Sequence, residues 1–416
     1  MGLANFIALF MIFEGNKKMS VTLSSKTCFL LLLVSLSALH TAHAIRRGPN
    51  SKSEQHINSF ENSIQLFRED IQRVNNLPET NLTIPCVKIS RDITYTKKWT
   101  FADWEEHQAV SILRYKGHIC TWLISTTAQN ILPTITAVAL WTAMVSKLAH
   151  SFPKFYFGTT KMQAALAFIQ APILLLLALR TNRALDRLLE TRRAWGLLCR
   201  STRTCMGLIS AYITPSRPDE GLIMARYLAF CGWSLKATLR KHDDDVDMIN
   251  ALFHSIPAEK DWLLNCPVKR PTALVARLRS LLSNLAKDVS KGGISIPPVA
   301  LLRIEETLYD MEQVAGICNR MMMTPIPPTY TRHTSRVLVM YMFLLPIGLI
   351  GMDIPLLPAI ITAISGSYIM VGIDEIGLEV ENPFNLLPMQ AMSQTIQSEV
   401  ESQVSMMSSM PSITMP

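Results

Sequence analysis

The chain has 416 residues, of which 49% are hydrophobic and only 17% charged, and it carries a net charge of +8. Soluble domains are about a quarter charged, so the composition points to a membrane protein. Its basic excess then suits anions and lipid headgroups better than nucleic acid.

Residues 28–39, Cys-Phe-Leu-Leu-Leu-Leu-Val-Ser-Leu-Ser-Ala-Leu, form a short apolar core preceded by Lys26 and followed by Ala42-His43-Ala44. A core this short with a small-residue cleavage pattern reads as a targeting segment over 1–44 rather than a spanning helix. Met19 is an alternative start, because residues 19–44 are complete by themselves. Residues 45–94 open with Arg46 and Arg47 in a Ser/Asn-rich stretch and read as a flexible region.

Four apolar segments follow, at 119–146, 162–179, 337–352 and 354–373. They read as membrane-spanning helices, since none shows the alternation of a closed barrel. Prolines 133, 172, 346, 355 and 358 are expected to kink or interrupt them. The last two spans are separated only by Asp353, which leaves a tight hairpin or one long broken helix. Between the pairs, residues 181–329 are rich in Arg and Lys, with helical apolar spacing and Pro-marked breaks near 215–218, 267–271 and 297–298. This part reads as a soluble helical domain. Positive-inside counting places it on the cytoplasmic or stromal side, together with both chain ends, although the loop 147–161 is also basic.

The eight cysteines, at 28, 86, 120, 199, 205, 231, 266 and 318, form no CxxC pair. They read as ordinary thiols rather than zinc ligands, and no metal or cofactor is expected. Hydrolase, metalloprotease and phosphate-loop patterns are absent, so no catalytic residue is assigned.

Three stretches carry a family likeness. Arg114-Tyr115-Lys116-Gly117-His118-Ile119 precedes the first span. Arg180-Thr181-Asn182, with Arg187, Glu190 and Arg193-Ala194-Trp195-Gly196, follows the second. Pro325-Ile326-Pro327-Pro328-Thr329-Tyr330-Thr331-Arg332-His333-Thr334-Ser335-Arg336 precedes the third. Asn382-Pro383-Phe384 then follows the last span. In this order and spacing the four motifs resemble the bestrophin family of anion channels, in particular its plant and algal thylakoid branch, and the likeness covers about 95–390. It implies an all-α membrane protein with four spans per subunit, a soluble helical part, and a homopentamer around one central pore that passes chloride and possibly bicarbonate. Arg114, Lys116, Gly117, Asn182, Pro325, Pro327, Tyr330, Arg332, Asn382, Pro383 and Phe384 are then structural motif positions.

The resemblance also assigns a pore. Counted back from Arg180, the family's neck positions fall on Ala164, Phe168 and Pro172, at i, i+4 and i+8 on one helical face. The aperture position falls on Leu308. Arg180, Arg183 and Arg187 would concentrate anions at the mouth, or else anchor lipid headgroups or pair with Asp186 and Glu190. Asn382-Pro383-Phe384 leads into Asn385-Leu386-Leu387-Pro388, without the carboxylates that a calcium clasp needs. Asp243, Asp244, Asp245 and Asp247 read as a solvated loop, since Met248 and His254 stand where a calcium-binding loop needs Gly and Glu. Residues 389–416, rich in Met and Ser, read as a disordered tail. The likeness to thylakoid members suggests a plastid membrane of an alga, reached by a bipartite signal, with the endoplasmic reticulum or plasma membrane as the alternative. Glycosylation at Asn81-Leu82-Thr83 would argue against the plastid route. A channel dedicated to bicarbonate and a non-conducting membrane scaffold are the competing functions.

Overall fold

The computed structural model describes residues 50–77, 98–108, 115–116, 118–120, 125–153, 160–240, 244–286 and 294–409. The targeting segment 1–44, the Asn81-Leu82-Thr83 sequon, Arg114, Gly117, Asp243 and residues 410–416 lie outside them. The chain divides into two compact units, Met1–Phe60 and Glu61–Pro416. The described part of the first unit is the opening of helix α1 (Asn50–Asn75); everything below concerns the second unit.

The described residues contain helices and no strand. Of the stretch 45–94 expected to be flexible, Asn50–Asn75 is helix α1 instead, and residues 45–49 and 78–94 lie outside the described residues. In α1, Ile64, Phe67, Ile71 and Val74 recur every three or four residues and are buried, and one such apolar stripe holds a helix against a protein surface. Helix α2 (Phe101–His107) begins at Thr100, whose hydroxyl accepts from the Asp103 amide while the Asp103 carboxylate accepts from the Thr100 amide, a reciprocal cap.

Four helices are long and apolar enough to cross a membrane. They are α3 (Thr126–Ser151), α4 (Thr160–Tyr212), α10 (Pro328–Ile350) and α11 (Leu356–Glu381). The observed α3 starts later and ends later than the apolar segment 119–146. Helix α4 runs on through Arg180 for 53 residues, a rod about 80 Å long at 1.5 Å per residue. The charge that begins at Arg180 therefore marks where the helix leaves apolar surroundings, not where it ends. Pro133, Pro172 and Pro346 sit inside continuous helices, whereas Pro355 caps α11. Between Ile350 and Leu356 the chain turns sharply, and Asp353 takes φ +57°, a left-handed value that Asp tolerates better than most residues. Of the two expected arrangements, the structure has the hairpin.

The spans pack around a core of Val138 from α3, Leu166, Ile173 and Leu177 from α4, Leu338, Tyr341 and Leu345 from α10, and Ala359 and Ala363 from α11. The alanines let helix backbones approach closely, as association within a bilayer requires. Trp141 stacks on Phe343 at 4.5 Å between ring centroids and donates to its carbonyl at 2.9 Å, which ties α3 to α10.

Beyond Arg180, the rest of α4 packs with α5 (Pro218–Arg240) and α9 (Pro298–Met323), and α6 (Asp244–Leu252), α7 (Pro257–Leu264) and α8 (Arg270–Ala286) complete this bundle against α5, α9 and one another. Helix α5 is buried around most of its circumference, which makes it the central element of this part. The acidic cluster read as a solvated loop instead opens α6, and Asp245 is buried in an ion pair with Arg270. Its carboxylate is spent within the protein. Among the described residues no group of three or more metal-ligating side chains converges.

After the short α12 (Pro383–Leu386), helix α13 (Met389–Ser409) corrects the expectation of a disordered tail. Met389, Met392, Ile396, Val400 and Val404 form one buried stripe, and the intervening serines bond their own helix, as Ser393 does to the Met389 carbonyl at 2.8 Å. Serine-rich composition concealed an amphipathic period. A methyl added to Gly232 of α5 would lie 3.0 Å from Ser393 Cα, so that crossing depends on glycine. Trp233 donates to Gln397 at 3.0 Å, and Gln397 donates to Asn75 at 3.0 Å. Arg203 pairs with Glu399. The C-terminal helix is thereby fixed to α5, α4 and α1.

Candidate functional site

The first 30 residues of α4 present two faces. Leu166, Ile173, Leu177, Arg180 and Ala184 are buried against the neighbouring spans. Ala164, Phe168, Pro172, Leu175 and Leu179 recur at helical spacing and are exposed, with Phe168 81% exposed. The three expected neck residues thus share one face of α4 that is left exposed among the described residues. Leu175 and Leu179 continue that face, and periodicity alone was enough to add them.

Leu308 is a correction. It lies on α9 but is 0% exposed, enclosed by its own subunit, and a side chain enclosed in this way cannot border an axial passage. The exposed apolar side chains of α9 are Val299, Leu302, Tyr309 and Met323. Tyr309 is the next residue along and is exposed, because one position on a helix rotates the side chain by about 100°.

Two of the three arginines assigned to the mouth are also corrected. Arg180 is 1% exposed. It is ion-paired with Asp374 of α11, and its other terminal nitrogen lies 3.9 Å from Glu381. Arg187 turns inward as well. Its guanidinium donates to the carbonyls of Glu381 at 3.2 Å, Thr324 at 2.6 Å and Met321 at 2.7 Å. These carbonyls sit at the C-terminal ends of α11 and α9, where helix carbonyls lack amide partners and a cation is favourable. Both arginines clamp helices together. Neither pairs as composition suggested: Glu190 instead meets Arg320, and Asp186 is exposed. Arg183 alone of the three is exposed. The partners Asp374 and Glu381 were missed because they lie 194 and 201 positions along the chain.

The remaining motif positions are distributed as follows. Tyr330 donates to the Leu176 carbonyl at 2.9 Å and so pins the start of α10 to α4. Pro327 caps α10. Asn382 caps α12 through the Phe384 amide, and Pro383 and Phe384 are buried. Lys116, Asn182, Pro325 and Arg332 are exposed. Glu381 accepts from the Ile326 amide at 3.1 Å. Pro325, Ile326 and the start of α10 form one wall of a cleft of about 430 Å³, and Arg187, Leu378 and Glu381 form the other.

In the soluble part the charged groups are structural. Arg226, 3% exposed, donates to Asp70 at 2.9 Å and 3.1 Å. Glu259 accepts from Tyr227 at 2.6 Å and from Arg277 Nε at 3.0 Å. Burial by itself would raise the Glu259 pKa, but the Arg277 and Tyr227 hydrogen bonds hold it below the usual carboxylate range. Burial pushes the Cys231 and Cys318 thiols up to about 12, which makes them poor nucleophiles and poor metal ligands.

Comparison with known proteins fits this geometry. The family described as Bacterial/Fungal Bestrophin protein matches residues 111–402, well over half of the chain. The chain is similar to a voltage-dependent anion channel-forming protein of Synechocystis, at 29% identity over 55% of this chain and 73% of that one. It is also similar to the chloroplastic voltage-dependent chloride channel 1 of Arabidopsis thaliana, at 26% identity over 74% of this chain and 72% of that one. A crystal structure of a bacterial bestrophin homologue from Klebsiella pneumoniae shares the fold, with TM-score 0.59 and 22% identity over 66% of this chain and 99% of that one.

Proposed function

Because the chain belongs to the bestrophin family, we propose that it is an anion channel and not an enzyme, a homopentamer that passes chloride and bicarbonate through one axial pore. The observation that carries this reading is the uncovered face of α4. A helix that crosses a bilayer with an exposed row of Ala164, Phe168, Pro172, Leu175 and Leu179 beside a tightly packed opposite face is suited to face its symmetry mates around an axis. Five Phe168 rings would form an apolar ring whose partly positive edges face a passing anion, and an apolar constriction forces ions to shed water. Arg183, just beyond this row, supplies positive potential at the mouth. We place the second constriction on the exposed Leu302–Tyr309 face of α9. Similarity to the chloroplastic relative supports a plastid membrane, with the soluble part on the stromal side.

The test is the reversal potential of the purified full-length protein in planar bilayers, first under a chloride gradient and then with bicarbonate on one side. Reversal near the chloride equilibrium potential is expected, with a bicarbonate permeability of the same order. Well-folded particles that carry no current across voltage and pH would replace the channel with a membrane scaffold. A particle symmetry other than five-fold would remove the pentamer.

A further inference from the structure

We propose that the cleft between the end of α9, the start of α10 and the end of α11 is a binding site for the headgroup of an anionic phospholipid, with Arg332 as its principal cation. The cleft holds about 430 Å³. It lies where two spans meet the soluble part: α10 begins at Pro328 and α11 ends at Glu381, so its depth along the membrane normal is that of headgroups.

The charge at this place is positive. Glu381 is the acid of the lining, and it is engaged by the Ile326 amide. Arg187 spends its hydrogen bonds on three backbone carbonyls, and among the described residues no ion pair to a carboxylate is formed by it. Arg332 is exposed and borders the cleft. One helical turn on, the same outer face of α10 carries Arg336, also exposed, and His333 lies beside them. Beyond these residues the face becomes apolar, with Val339, Met340 and Phe343 each at least half exposed. A basic collar that passes into an exposed apolar stripe matches a phospholipid, with its phosphate on the arginines and its chains along the helix. The cleft wall itself is apolar at Met322, Ile326 and Leu378, which suits a glycerol backbone better than a fully hydrated ion. That contrast favours a lipid over free phosphate.

The inference does not depend on ion conduction, and its test reads binding. Full-length protein in detergent is titrated with a short-chain phosphatidylglycerol, with the matching phosphatidylcholine, and with inorganic phosphate, and thermal stability is followed together with lipid retention by native mass spectrometry. Phosphatidylglycerol is expected to stabilise and be retained, and the other two to do neither. A surface cation contributes about 1 kcal/mol to anionic-lipid binding, so Arg332→Gln should weaken retention roughly fivefold, and Arg332→Gln with Arg336→Gln roughly twenty-five-fold. Met322→Trp, which fills the cleft, should abolish it. Arg193→Gln, an exposed arginine further along α4, should have no effect and controls for general charge. Inorganic phosphate acting as strongly as the lipid would make this a free-anion site and overturn the proposal. So would retention unchanged by Arg332→Gln and Met322→Trp in proteins that melt like the parent.

Discussion

The two parts of α4 are built on opposite rules. In its first part, from Thr160 to Arg180, the buried face is almost wholly apolar and the exposed face is apolar too. In its second part, and in α5 to α9 around it, the exposed surface mixes charged and polar side chains with single apolar ones such as Leu189, Leu302 and Tyr309, and charge has moved inside as Asp70–Arg226, Asp245–Arg270 and Glu259–Arg277. Water explains the difference. A soluble surface must be polar, and an interior carboxylate is held by a matched cation. A span meets lipid or a neighbouring subunit, so an apolar outer face costs nothing. The share of the apolar window buried within the chain sharpens the point, at 50% for α10 against 22% for each of the other three spans. Helix α10 is the most enclosed of the four, while α3, α4 and α11 leave most of their apolar windows uncovered within the subunit.

If interior charge holds the soluble part together, its removal there should have the largest effect. Arg226→Ala strips the buried Asp70 of two hydrogen bonds and leaves it Arg73 and Ser255, and breaking a buried pair in this way costs up to about 3 kcal/mol. The expected outcome is a large drop in the melting temperature of the detergent-solubilised protein, largely restored when Asp70→Leu is combined with Arg226→Met. A melt within two degrees of the parent would show that α1 is not held by this pair.

Arg180 stands at the boundary and separates the two rules. If it were a mouth cation, Arg180→Gln would lower conductance and leave folding alone. Buried against Asp374 and near Glu381, it should instead destabilise the protein by roughly 3 kcal/mol, with Arg180→Met and Asp374→Leu together recovering part of the loss. Thermal melts of the two variants decide between these. Arg183→Gln should show the converse, a lower conductance with an unchanged melt.

Much of this division was legible in the sequence, for physical reasons. Four long apolar runs can only be spans, and the motif order identifies the family. The abrupt polarity at Arg180 locates the exit from apolar surroundings, but polarity does not reveal that the helix continues. The sequence also does not show which way a polar side chain turns. Arg180, Arg183 and Arg187 look alike along the chain, and only their distant partners Asp374, Glu381, Met321 and Thr324 separate clamp from surface. Leu308 and Tyr309 are neighbours on α9, yet the first is enclosed and the second exposed, a difference that the sequence does not show. The tail was misread because its period was masked by serines that satisfy their own hydroxyls.

A smaller effect follows from Glu259. Its folded pKa is held below the ordinary carboxylate value near 4.5, so it contributes stability above that value and loses the contribution as pH falls through the folded one. Melting temperature should therefore fall on acidification below about pH 5. Glu259→Gln should start lower at neutral pH and decline less steeply. A parallel decline in parent and variant would assign the acid sensitivity to other carboxylates.

The smallest effect on stability should accompany the largest on conduction, at Phe168. Its ring is 81% exposed within the subunit, so Phe168→Ala removes few contacts from the folded chain, and surface changes of this kind stay within about 0.5 kcal/mol. Were the ring packed between helices of its own subunit, truncation would cost about 3–5 kcal/mol. In the proposed pentamer the substitution would delete an apolar ring from the neck and should raise single-channel conductance while weakening the preference for anions. Measured together, melting temperature and conductance give three distinguishable outcomes. An unchanged melt with altered current places Phe168 on the pore. A large loss of stability with unaltered current in the surviving protein makes it a packing residue between subunits. An unchanged melt with unaltered current leaves it facing lipid, and the pore must then be sought on another face of the bundle.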